Sequence, residues 1–110
     1  MKFSIERATL GTDPEYDVTA NGNTVAKLNV AVNHNRKVNN EWETETDWFN
    51  LVCYGNTADK VMKMELSKGD SIVITDGSVR VSVVGEGDAR KWYTNYIVSR
   101  FGKLERYNNE

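Results

Sequence analysis

Three tryptophans and five tyrosines stand among 110 residues that hold a single histidine and a single cysteine. Trp48 and Tyr54 are six positions apart within Thr44–Tyr54. In a strand they share one face, with Asn50 and Val52 between them. Phe49, Leu51 and Cys53 fall on the other face, which is apolar as a core requires. A face that mixes two aromatics with an amide is neither a clean core face nor an ordinary solvated one. Rings spaced along a strand can accept stacked nucleobases, each worth roughly 1–3 kcal/mol. The competing reading packs both rings under a helix or in a subunit interface. Asn50 could hydrogen-bond a base or phosphate between the rings, or satisfy a neighbouring strand.

The remaining candidates combine rings and cations. Trp92 follows Arg90-Lys91, a basic–aromatic cluster suited to stacking plus phosphate contact, against simple cross-strand packing. Trp42 is expected in the loop before the Trp48 strand, where it would cover nucleic acid or a neighbouring subunit, or rim the core. Arg36, Lys37, Lys27 and Arg80 could track a phosphate backbone; most single surface cations are merely solvated.

Catalytic constellations are missing. One His and one Cys cannot make a zinc site of the usual composition, and no Ser or Cys motif accompanies His34. Glu41, Glu43, Glu45 and Asp47 alternate along a strand entry; a solvated face that repels DNA from a wrong path is preferred to a magnesium site. No GxxxxGK[ST] loop is present. Neither a metal nor a cofactor is expected, and the chain is not expected to be an enzyme.

These residues need elements to position them. Phe3–Leu10 reads as a first strand, ended by the turn Gly11-Thr12-Asp13-Pro14. Thr24–His34 is a half-buried strand, with Ala26, Leu28, Val30 and Val32 at period two and Lys27 on the other face. Asn35–Glu41 is polar and reads as a loop holding Arg36 and Lys37. Asn56–Gly69 switches to helical period through Ala58, Val61, Met62 and Leu66, with Asn56 or Thr57 as the starting cap and Gly69 as the close. In Ser71–Val84, Ile72 and Ile74 are apolar at even positions but Val79, Val81 and Val83 at odd ones, which demands a bulge near Thr75-Asp76-Gly77. Gly85–Asp88 is a hairpin loop and Lys91–Phe101 a last strand. Three strands, one short helix and two strands make an all-β OB-fold, a five-stranded Greek-key barrel with the helix between strands three and four. The domain is expected over 1–101, with a short polar C-terminal tail over 102–110.

Bulk properties are compatible with this. With 39% hydrophobic and 27% charged residues the chain is too apolar to be disordered, and no apolar run spans a membrane. Met1–Arg7 lacks the unbroken apolar segment of a signal peptide and Cys53 is alone, so a cytoplasmic setting is expected as the default. The net charge of −2 is modest, and local fields matter more than the total.

The sequence resembles the single-stranded-DNA-binding proteins of bacteria and their phages. The matching segments include Leu10–Glu15, Asn21-Gly22 with Val25-Ala26, Thr46-Asp47-Trp48-Phe49 with Tyr54-Gly55, Ala58, and Lys68-Gly69; Gly77–Arg80 and Tyr93-Thr94 add weaker matches. The resemblance runs from about Phe3 to Val98. It implies a non-enzymatic protein that wraps single strands over OB-fold subunits, and it places the family's strand-three stacking residues on Trp48 and Tyr54. The family's aromatic after strand two falls near Arg36 and that after strand four near Val84, neither of them aromatic here; Trp92, across the hairpin, is the candidate replacement. The family's glycine-rich linker and acidic tip have no counterpart before Glu110, so acidic-tail recruitment of host enzymes is not expected and a short phage type is the better match.

The expected function is sequence-independent coating of single-stranded DNA in replication, recombination and repair, by a homo-oligomer with a tetramer favoured over a dimer, in the bacterial cytoplasm (the host's, if phage-encoded). The alternatives are a primosome or RNA-binding component and a protein-interaction or virion structural module.

Overall fold

The computed structural model describes residues 1–105. Six strands occur among them: β1 (Lys2–Leu10), β2 (Glu15–Val18), β3 (Thr24–Val38), β4 (Glu41–Tyr54), β5 (Ser71–Val84) and β6 (Lys91–Leu104). One helix, α1 (Asn56–Lys63), lies between β4 and β5. The sheet order is β1-β5-β6-β4-β3-β2, and β1 also pairs with β3. That last pairing closes β1, β5, β6, β4 and β3 into a five-stranded barrel, the expected OB-fold. β2, which was not among the expected elements, is a four-residue flap on the free edge of β3.

Alternation fills the barrel. Ala26, Leu28 and Val30 of β3 meet Cys53, Leu51 and Phe49 of β4 across the ladder. Ala8, Leu10, Ile72, Ile74, Val98 and Phe101, each 4% exposed or less, complete the core, with Phe49 partly buried at its margin. The bulge falls where the phase of the apolar residues required it, with register shifts on both sides of Asp76. It lets Ile74 and Gly77 both face inward, opposite Phe101 and Val98. Gly77 is needed there because the Phe3 ring lies on it, leaving no room for a β-carbon. Burial pushes the Cys53 thiol up to about 12, so it stays protonated at neutral pH.

Three local expectations are corrected. Asn35–Glu41 is not a loop: β3 and β4 stay paired to Val38↔Glu41, and Asn39-Asn40 alone turn the chain, both with positive φ. Asparagine tolerates that left-handed conformation, which a two-residue hairpin turn demands. Trp42, Arg36 and Lys37 therefore sit on strands. The helix is shorter than Asn56–Gly69 and is capped by neither Asn56 nor Thr57; Gly55 precedes it at φ 56°, and the Thr57 hydroxyl donates to the Ser99 carbonyl at 3.3 Å. Glu65, not Gly69, takes the left-handed position after the helix (φ 52°), while Gly69 turns the chain into β5 and donates its N–H to Leu10 O. Finally, β6 continues past Phe101 through Gly102, Lys103 and Leu104, paired to Val73, Ile72 and Ser71. The part of the expected polar tail over 106–110 lies outside the described residues.

Candidate nucleic-acid interface

Two long hairpins, β3–β4 and β5–β6, extend beyond the barrel as arms. In the antiparallel ladder residues directly opposite share a face. On β3–β4 the outer face therefore carries Trp42, Thr44, Thr46, Trp48, Asn50, Val52 and Tyr54, facing Lys37, Asn35, Asn33, Ala31, Asn29, Lys27 and Val25 in turn. Trp42, Trp48 and Tyr54 thus form one row, each about 20 Å from the next at the rise of a strand. They are 72%, 59% and 49% exposed, so none is a core residue in the single chain.

Trp48 is braced. Its register partner is Ala31, one methyl group, and the ring lies against Gly11 at the end of β1. A β-carbon on Gly11 would stand 2.5 Å from Trp48 Cζ3 and 3.1 Å from Asn29 Oδ1. Between Trp48 and Tyr54 is a shallow depression lined by Lys27, Asn29, Asn50 and Val52, with Thr12 and Glu15 as one wall. Asn29 Nδ2 donates to Asn50 Oδ1 at 3.1 Å, which leaves the Asn50 NH2 free to donate. Lys27 supplies the cation beside this depression.

The inner face of the same arm is different. His34, Arg36 and Val38 lie opposite Glu45, Glu43 and Glu41. Arg36 Nη1 is 3.4 Å from Glu45 Oε1, and His34 Nε2 is 3.0 Å from Asp47 Oδ2. Arg36 and Lys37, adjacent in sequence, therefore point to opposite faces. Only Lys37 joins the tryptophan row, across from Trp42.

The β5–β6 arm divides the other candidates similarly. Arg80, Ser82 and Val84 share a face with Asn95, Tyr93 and Lys91, while Val81 and Val83 share the inner face with Thr94 and Trp92. Trp92 and Lys91 thus diverge, and the Arg90 guanidinium stays with Trp92, 5.7 Å from its ring centre. The β4–β6 pairing sets Val52 beside Ile97 on the outer side, so Asn95 and Arg80 continue the face of Tyr54. A groove beside Tyr54 reaches from Val18 and Lys27 to Asn95. Trp92 instead continues the side of Tyr96, which packs edge-on against Phe3 and Phe49.

Sequence reasoning passed over Asn29, Asn33, Asn35, Thr44, Thr46, Tyr93 and Asn95. The signal was available for the β3–β4 set, since each falls at an even spacing from Trp48 or from its partner Ala31. Reading Asn35–Glu41 as a loop removed Asn35 from that count; Asn29 and Asn33 fall on the outward face with Lys27, and Thr44 and Thr46 on that of Trp48, where polar residues read as ordinary solvated positions. No three His, Cys, Asp or Glu side chains among the described residues are placed to hold a metal ion together.

The barrel has known counterparts. Residues 4–104 match the sequence profile of the Single-strand binding protein family. A single-stranded DNA-binding protein of Treponema pallidum (strain Nichols) is 30% identical over 73 residues, which make up 66% of this chain but only 40% of that relative. Among solved structures, an SSB of Plasmodium falciparum in complex with ssDNA superposes with a TM-score of 0.77 at 24% identity, covering 94% of both chains. A small single-stranded DNA-binding protein of Streptomyces coelicolor gives 0.69 at 18% identity, again over 94% of both. A deletion mutant of the Thermus aquaticus single-stranded DNA binding protein gives 0.76 at 17% identity, over 93% of this chain and 51% of that one. These structures share the barrel. With residues 4–104 of its 110 matching the profile, the chain belongs to the single-strand binding protein family.

Proposed function

We propose that this protein binds single-stranded DNA on the outer face of β3–β4, without catalysis and largely without sequence preference. The observation that carries the reading is the row Trp42–Trp48–Tyr54, exposed on one face with uncharged amides and Lys27 and Lys37 beside it. Every base has a π-face, so a row of rings accepts any sequence, while the lysines meet phosphates. Arg80, Asn95 and Tyr93 extend the path onto the second arm. Trp92, with Arg90 5.7 Å from its ring centre, offers a further stacking surface on the opposite face of that second arm. Such a protein protects exposed strands and removes secondary structure during replication, recombination and repair, in a bacterial cytoplasm and as a phage product.

A homo-oligomer, with a tetramer favoured, fits the apolar inner face of the β5–β6 arm, where Val81, Val83 and Trp92 are more than half exposed. The same patch is what favours the second reading, a protein-interaction module.

Titrating the protein with oligo-dT at low salt should quench tryptophan fluorescence and retard the oligonucleotide, and Trp48→Ala should weaken binding by roughly 1–3 kcal/mol. Unchanged fluorescence and mobility with a long oligo-dT would sink the proposal. A parallel titration with oligo-U tests the RNA alternative, and light scattering with and without DNA measures the assembly.

A further inference from the structure

Beyond Trp48 the outer face of the β3–β4 arm carries no charge until Lys37 at its tip. Asn33 lies opposite Thr46, and Asn35 opposite Thr44. Thr46 Oγ1 donates to Asn33 Oδ1 at 2.6 Å, and Thr44 Oγ1 donates to Asn35 Oδ1 at 3.0 Å. Each bond engages the amide oxygen and fixes the plane of the group, leaving the two N–H donors of its NH2 outside the pair. All four residues are exposed. Asparagine is disfavoured in strands, and a solvated hydrogen bond adds little stability, so neither propensity nor folding accounts for the ladder.

Two further observations give it a ligand. Trp42 and Trp48 bracket the ladder on the same strand, 72% and 59% exposed. Bases stacked on those rings would lie against the sheet with their edges toward the amides between them. The reverse face of the arm holds Glu41, Glu43, Glu45 and Asp47 against the single guanidinium of Arg36, a field that repels phosphate. A polyanion crossing the arm is thereby confined to the ladder side.

We infer that Asn33 and Asn35, oriented by Thr46 and Thr44, form a base-contacting extension of the interface that donates hydrogen bonds to the carbonyl and ring-nitrogen acceptors of unpaired nucleobases between Trp42 and Trp48. The inference rests on the single-stranded-DNA reading above and adds to it a contribution with little salt dependence, because no counterion is released when a neutral amide meets a base.

The test measures affinity for oligo-dT and for an abasic oligonucleotide of equal length over a range of salt concentrations. Wild type is compared with the Asn33→Ala/Asn35→Ala double variant. The expected result is a loss of roughly 5- to 50-fold on oligo-dT at every salt concentration, an unchanged slope of log K against log salt, and no loss on the abasic strand. An Asn33→Thr/Asn35→Thr variant, which strengthens strand propensity while withdrawing the amide donors, should show the same loss with the thermal unfolding midpoint retained. Equal binding of wild type and the threonine variant, while Trp48→Ala still weakens binding, overturns the inference alone. A loss that appears equally on the abasic strand, or that lowers the salt slope, also overturns it, since the contact would then be to phosphate. If wild type binds no oligo-dT, the function proposed above fails and this inference with it.

Discussion

The indole of Trp48 rests on Gly11, so closely that a β-carbon there would come within 2.5 Å of Cζ3. The contact joins the end of β1 to the middle of β4 across β3, and it holds the central ring of the row in place. Gly11→Ala should displace the ring, which is free to swing outward because it is 59% exposed. DNA affinity is expected to fall by about 1 kcal/mol, roughly fivefold, with stability changed by less than that. Fluorescence titration beside a thermal melt separates the two; an unchanged affinity would show that the glycine does not position Trp48.

Faces, not proximity in sequence, should decide which cations matter. Lys27 lies beside the depression between Trp48 and Tyr54, whereas Arg36 is bound to Glu45 on the reverse of the arm. Lys27→Ala should lower the salt slope of DNA binding by about 0.7. Arg36→Ala should leave the slope unchanged and, by releasing an acidic face, change stability only slightly. Equal slopes for the two variants would contradict this assignment.

The buried Cys53 thiol predicts an alkaline weakness. Its folded-state value, about 12, lies above the ordinary value of 9.0. Between these limits the unfolded chain loses the proton while the folded chain keeps it. The contribution is therefore complete below about pH 9 and is lost as pH rises toward 12, by up to about 1.4 kcal/mol per pH unit. Urea unfolding at pH 8 and pH 10.5 should show a smaller decline for Cys53→Val than for wild type. An identical decline would remove the thiol from the account.

The Asn39-Asn40 turn predicts a local stability effect. Both residues have φ above +50°, where a side chain that cannot bond locally is disfavoured. Asn40→Ala should destabilise by about 1 kcal/mol, and Asn40→Gly should be neutral or slightly stabilising. Urea midpoints at constant m measure both. An alanine variant as stable as wild type would mean that the arm frays at its tip.

Much of this was legible in the chain because its causes are local. The alternation through Ala26, Leu28 and Val30 and through Leu51 and Cys53 set the core side of β3 and β4, and left Trp48 and Tyr54 on the other side. The phase change between Ile74 and Val79 required the bulge that is found around Asp76. β2 was harder to read: Tyr16 and Val18 do alternate with Glu15 and Asp17, but four residues are too short a run for period two to stand out, and all four are exposed, so no core contact marks them. Period two also could not carry the strands across Asn35–Glu41, where the cross-strand bonds are made by amides, hydroxyls and ion pairs instead of apolar contact.

The row that opened the reading of the sequence, Trp48 with Tyr54, was determined by sequence alone, since two residues six apart in one strand must share a face. Its extension to Trp42, its support on Gly11, and the separation of Lys37 from Arg36 were decided only by tertiary structure. Those depend on how far two strands remain paired and on which distant backbone passes beneath a ring. Strand alternation specifies the side a residue faces; only the folded register specifies what else is there.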